Sequence, residues 1–207
     1  MNILARVISI VLHPLLMATY LLGLLSFFLP AALYPVSVGS QRSFLLLIFL
    51  MTFVVPAINI SLFRIFGTIS SFALIDRKER IRPFFLITII YCFVTYILSF
   101  KTGVRTDDNL FKFLLIIDCL VIAATVITFF FKISIHSLGM AGLLGIIIPL
   151  NKVAEDNSLL LPTVALIGIT GIVMSARLQL NSHTAKEVWV GALTGFSIGF
   201  LGMTILF

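Results

Sequence analysis

The chain has 207 residues, 60% of them apolar or aromatic and only 11% charged, with a formal net charge of +6. This composition excludes a water-soluble globular fold, because a domain of this size still exposes much of its chain and has too little polar surface to cover it. A bilayer solvates such an exterior, and helices are favoured there because each satisfies its own backbone hydrogen bonds away from water.

The first apolar run, 3–29, exceeds a signal core, contains His13-Pro14 and lacks a small-x-small cleavage site. It is predicted to be a span and not a leader. Further runs of about twenty apolar residues follow at 43–66, 84–100, 109–131, 137–153, 158–175 and 185–206. The predicted fold class is all-α: a polytopic transmembrane helical bundle of about six to seven spans, forming one integral membrane domain over 1–207. The connections are Pro30–Arg42, Gly67–Pro83, Lys101–Asp108, Lys132–His136, Ala154–Asn157 and Arg177–Thr184, none long enough for a separate domain. Cys92 and Cys119 lie inside apolar runs and read as small buried hydrophobes. Gly191, Gly195 and Gly199 repeat every four residues, and with Gly139, Gly142 and Gly145 they are expected to form close packing faces.

With seven crossings, the second, fourth and sixth connections open on one side. They carry Arg77, Lys78, Arg80, Arg82, Lys132, Ser134, His136, Arg177 and His183, with Lys186 and Glu187 just inside the last span. The opposite side receives Arg42, Lys101, Arg105, Asp107, Asp108, Lys152, Glu155 and Asp156. One side is therefore strongly basic and holds two of the three histidines.

A single arginine or lysine at a helix end ordinarily snorkels to headgroups or fixes topology. The group is more specific. Arg82 precedes Pro83 at the expected mouth of the third span, and Ser134 and His136 open the fifth, where a helix N-terminus favours an anion. His183 and Glu187, four apart, share a helix face, so the carboxylate can orient the imidazole. Guanidiniums to neutralise phosphate oxygens, one histidine to attack phosphorus and another to protonate the leaving oxygen suit phosphoryl transfer.

These segments resemble the three signatures of the type 2 phosphatidic acid phosphatase family, the lipid phosphate phosphatases related to vanadium haloperoxidases. The patterns are K-x6-R-P, P-S-G-H and S-R-x5-H-x3-D. Here the third reads Ala176-Arg177-x5-His183-x3-Glu187, and the second Ile133-Ser134-Ile135-His136, without the proline and glycine. The first keeps Arg82-Pro83 but has Ile75 where lysine is expected, with Arg77 or Lys78 able to substitute from a shifted register. The resemblance covers about 64–207. It implies a hydrolase in which His183 forms a phosphohistidine, Glu187 orients it and His136 is the general acid. Arg82, Arg177 and Ser134 would bind phosphate, helped by Lys78 or Arg77, without metal or cofactor.

The implied substrate is a phospholipid or isoprenyl phosphate: an isoprenyl diphosphate, phosphatidylglycerophosphate, phosphatidic acid or lipid A phosphate. The basic charge points to the lipid bilayer and its anionic headgroups and away from nucleic acid. The alternative is a non-enzymatic transporter or anionic-lipid-binding scaffold. The basic side would be cytoplasmic by the positive-inside rule, but without the phosphate-binding arginines the two sides are nearly equal. The resemblance implies a bacterial inner membrane with the site on the outer, periplasmic face.

Two intramembrane polar residues stand apart. His13 beside Pro14 is either a functional group or a packing hydrogen bond at a kink. Asp118, about four turns before Ser134, is expected toward the opposite face, either structurally partnered or on a substrate or proton path.

Overall fold

The computed structural model describes residues 3–72, 74, 76–101, 103–153 and 157–207. Helix is the only regular structure among them: α1 (Ile3–Val11), α2 (Met17–Phe28), α3 (Gln41–Phe49), α4 (Val55–Ile65), α5 (Arg77–Lys101), α6 (Asn109–Phe130), α7 (Ile135–Val153), α8 (Leu160–Gln179) and α9 (Ala185–Leu206). Among the described residues, seven stretches are long and apolar enough to cross a membrane: Ile3–Phe28, Val38–Ile65, Arg77–Lys101, Asn109–Phe130, Ile135–Lys152, Leu160–Gln179 and Ala185–Leu206. The chain is an all-helical, multi-pass membrane protein.

Two spans are interrupted. Pro14 disfavours helical backbone in the residue before it, and His13 is extended, with φ −68° and ψ 137°. α1 therefore stops, a 3-10 turn covers Pro14–Leu16, and α2 resumes the crossing at Met17. The second span passes from α3 to α4 through a π-helical turn, Leu50–Val54. One boundary differs more widely from the sequence expectation. α5 begins at Arg77 and continues through Pro83, so Arg82 lies within its opening turns instead of at its mouth. The side chain of Asp76 accepts from the Lys78 amide (3.0 Å) and caps the earlier start. Ile75, where the resemblance expects lysine, lies outside the described residues, as do Glu155 and Asp156.

Contacts divide the chain into two compact units, Ala18–Lys132 and the pair of segments Met1–Met17 and Ile133–Phe207. In the first of these, α5 and α6 pack antiparallel along a polar seam. Thr88 and Thr125 hydroxyls lie 2.7 Å apart, and Thr95 hydrogen-bonds Asp118, which is 6% exposed. Such interhelical bonds are worth only about 0.6 kcal/mol each on average, so they set register more than stability. Asp118 is thus structurally partnered. Tyr91 donates to the Thr52 carbonyl at the π turn (3.1 Å), and Gln41, itself buried, joins Ser26 to the Pro30 carbonyl. Cys92 is only half-buried and Cys119 is exposed on α6, contrary to the expectation of two buried thiols.

In the second unit, α7 and α9 run parallel and touch backbone to backbone. A Cβ placed on Gly191 would come within 2.6 Å of the Ser134 carbonyl oxygen, on Gly195 within 2.0 Å of that of Leu138, and on Gly199 within 2.4 Å of that of Gly142. The four-residue repeat on α9 thus meets a four-residue repeat on α7, as expected for small residues in membrane helices. Gly145 joins this face against the Phe196 carbonyl, whereas Gly139 turns away and packs on Met17. Gly195→Leu is expected to lower the thermal stability of the detergent-solubilised protein by about 3 kcal/mol or more, since overpacking here meets backbone. Gly171→Ala, with no atom within 4 Å of the added carbon, should leave the melting temperature unchanged or slightly raised.

Candidate functional site

The connection from α8 to α9 holds two of the residues singled out from the sequence, and its own capping logic places them. α8 ends in a Schellman motif: Asn181 is left-handed (φ 49°), the Ser182 amide donates to the Arg177 carbonyl (3.3 Å), and the Asn181 amide donates to that of Leu178 (2.9 Å). Two residues later Thr184 caps α9 in a capping box. The Glu187 amide donates to Thr184 Oγ1 (3.3 Å), and the Thr184 amide donates to Glu187 Oε2 (3.2 Å). The same Oε2 accepts from His183 Nδ1 at 2.8 Å. His183, between the two motifs, is 8% exposed.

α7 opens alongside. Ser134 is its N-cap, completely buried, with Oγ accepting from the Ser137 hydroxyl (2.9 Å) and amide (3.4 Å). The Ser134 amide donates to the backbone carbonyl of Glu187 (3.1 Å), tying the start of α7 to the first turn of α9. His136 lies in the first turn of α7.

The first span completes the cluster. Ser9 is buried in the last turn of α1. Its carbonyl accepts from His136 Nε2 (3.0 Å) and its hydroxyl from Arg177 (3.1 Å). The Nε of Arg177 is buried with no hydrogen-bond partner among the described residues. The ring of His13 meets that of His136 edge-on, with centroids 5.8 Å apart and planes at 77°. His13 Nδ1 accepts from the Leu15 amide (3.3 Å), so it also caps the 3-10 turn after the break.

One unit thus brings together His13, Ser9, Ser134, His136, Arg177, His183 and Glu187. Ser9 and His13 lie outside the span of the family resemblance. Only the proline beside His13 signalled a broken helix within a crossing, and nothing in the sequence marked Ser9. Ser134, expected to bind phosphate, is fully buried, and its Oγ accepts the N-cap hydrogen bonds.

Arg77, Lys78 and Arg82 belong to the other unit. The guanidinium of Arg77 donates to the carbonyls of Thr128 and Phe129 at the end of α6, where a cation complements the helix dipole. Here it serves as a helix cap. Lys78 and Arg82 are exposed on the first turns of α5. Arg80, not selected from the sequence, is buried there, with Nε on the Leu74 carbonyl (2.6 Å). Among the described residues no three His, Cys, Asp or Glu side chains are grouped as metal ligands.

Compared with known proteins, the chain matches no family model, no curated sequence and no solved structure.

Glu187 combines capping with orientation of His183, and the two are separable. Glu187→Gln keeps a side-chain acceptor for the capping box and should change stability by less than about 0.5 kcal/mol. Thr184→Ala should cost about 1 kcal/mol, read as a lower melting temperature in detergent.

Proposed function

We propose that this membrane protein hydrolyses a lipid phosphate or diphosphate through a phosphohistidine intermediate, in the manner of the type 2 phosphatidic acid phosphatases it resembles. The observation that carries the reading is the His183–Glu187 pair at 2.8 Å, in the same unit as a second histidine and an arginine that meet on Ser9. Its support is chemical. With Nδ1–H donated to a carboxylate, the imidazole lone pair resides on Nε2, the arrangement of an activated histidine nucleophile.

In this reading His183 Nε2 attacks phosphorus. The bond from phosphorus to the lipid oxygen breaks, and that oxygen leaves with a proton from His136. Water then attacks the phosphohistidine, returning its proton to His136 and releasing inorganic phosphate. Arg177 neutralises the phosphate oxygens, its buried Nε being a donor that a phosphate would satisfy. The resemblance adds Arg82 and Lys78 as phosphate ligands.

A second reading is favoured by one observation. Ser134 and Arg77, two of the expected phosphate ligands, are committed to helix caps. A protein that holds an anionic lipid headgroup without cleaving it would keep the histidines and arginines and release nothing. Phosphate release from a panel of lipid phosphates by purified protein separates the two. Wild type is expected to turn over at least one, and His183→Ala should reduce kcat by about a thousandfold or more. A panel that wild type binds and leaves intact establishes the second reading.

The site is assigned to the outer face of a bacterial inner membrane. With Cys92 and Cys119 replaced, a cysteine at Glu79 should react with a membrane-impermeant maleimide in intact spheroplasts. Labelling only after permeabilisation would reverse the orientation.

A further inference from the structure

All three histidines of the chain lie in one unit, and two are tied to the interrupted first crossing. α1 ends at Val11, His13 is extended, and Pro14 opens a 3-10 turn. The last-turn carbonyls of any helix run out of intrahelical donors, and an unpaired carbonyl inside a membrane is costly. That of Ser9 accepts from His136 Nε2, while the same residue's hydroxyl takes Arg177. A single residue thus holds two groups that reach it from α7 and α8.

We infer that the His13-Pro14 break is a positioning device for His136. It ends α1 where the Ser9 carbonyl can hold Nε2–H, which confines proton exchange to Nδ1. A carbonyl can only accept, so this contact fixes which imidazole nitrogen carries the proton. Were the helix continuous through residue 13, the amide of that residue would compete for the Ser9 carbonyl as its ordinary partner four residues on. Proline at 14 prevents this by holding His13 out of helical backbone. His13 stabilises the break through the Leu15 amide, and its ring meets that of His136 edge-on. Ser9, His13 and Pro14 are therefore positioning residues, acting through His136 and Arg177.

The test combines imidazole proton exchange with kinetics, and only the kinetic arm rests on the phosphatase reading. In 15N-histidine-labelled protein in nanodiscs, the Nε2–H of His136, assigned with His136→Gln, should exchange with water slowly, and the second proton that the acid needs should be taken up and lost at Nδ1. Pro14→Ala should speed that exchange about tenfold or more. With a hydrolysed lipid phosphate it should lower kcat by a factor of about ten to a hundred, and change KM less than about threefold. His13→Asn keeps a side-chain acceptor for the cap and leaves the break in place. It should retain slow exchange, whereas lost protection there would overturn the assignment of the effect to the break. A Pro14→Ala protein that melts like wild type and keeps the proton protected also overturns it. Should Pro14→Ala fail to fold, the wild-type spectrum still decides, since fast exchange at Nε2, or an unprotonated Nε2, contradicts the proposal. If no lipid phosphate is hydrolysed, the phosphatase reading fails while the exchange measurements stand.

Discussion

The parallel contact between α7 and α9 is the constraint on which the histidine cluster depends. No hydrophobic effect drives helices together within a bilayer, so close association has to come from packing, hydrogen bonds and lipid entropy. Glycine at 191, 195 and 199 lets carbonyl oxygens of α7 lie where side chains would otherwise stand. The same approach puts the Ser134 amide on the Glu187 carbonyl. His136 and His183, far apart in sequence, are thereby held at neighbouring levels by backbone, with little left to side-chain choice. A shift of one residue in this register would separate Ser134 from Glu187 and take His136 with it.

Around that contact, capping residues carry double assignments. Glu187 closes a capping box and holds an imidazole with one oxygen; Ser9 accepts from two groups through its two oxygens. Arg177 supplies a carbonyl to the Schellman motif and a guanidinium to Ser9. Sharing of this kind is economical in a membrane, where each unsatisfied polar group costs several kcal/mol by about the same physics that forbids open sheet edges. It also means that spacing in the Arg177–Glu187 segment answers to helix termination and initiation as well as to chemistry.

The spans were legible in the sequence because hydrophobic length alone decides them, and α9 begins and ends within a residue of expectation. The glycine repeat was legible for the same reason: small residues at a period of four have few other uses in such a helix. The His183–Glu187 pair followed from helical spacing. What hydropathy could not show is how polar groups near helix ends are used. Arg77 and Ser134 were both read as phosphate ligands; Arg77 caps α6, and Ser134 is wholly buried as the N-cap of α7. The early start of α5 was hidden because charged residues depress hydropathy while remaining good helix formers. Ser9 gave no signal, since its part is played through a carbonyl that every residue possesses.

The unit that gathers the histidines is assembled from both sides of the sequence, Met1–Met17 and Ile133–Phe207, with the whole of the other unit intervening. During biosynthesis α1 is made before its partners α7, α8 and α9, which emerge only after residues 18–132 have been made. At about 5–20 residues per second this is a wait on the order of ten seconds. The turn bearing Ser9 and His13 spends that interval without His136 or Arg177. Because His183 and α9 come off the ribosome last of the cluster, shorter nascent chains lack the pair at its centre, and the site is completed only when α9 has been made.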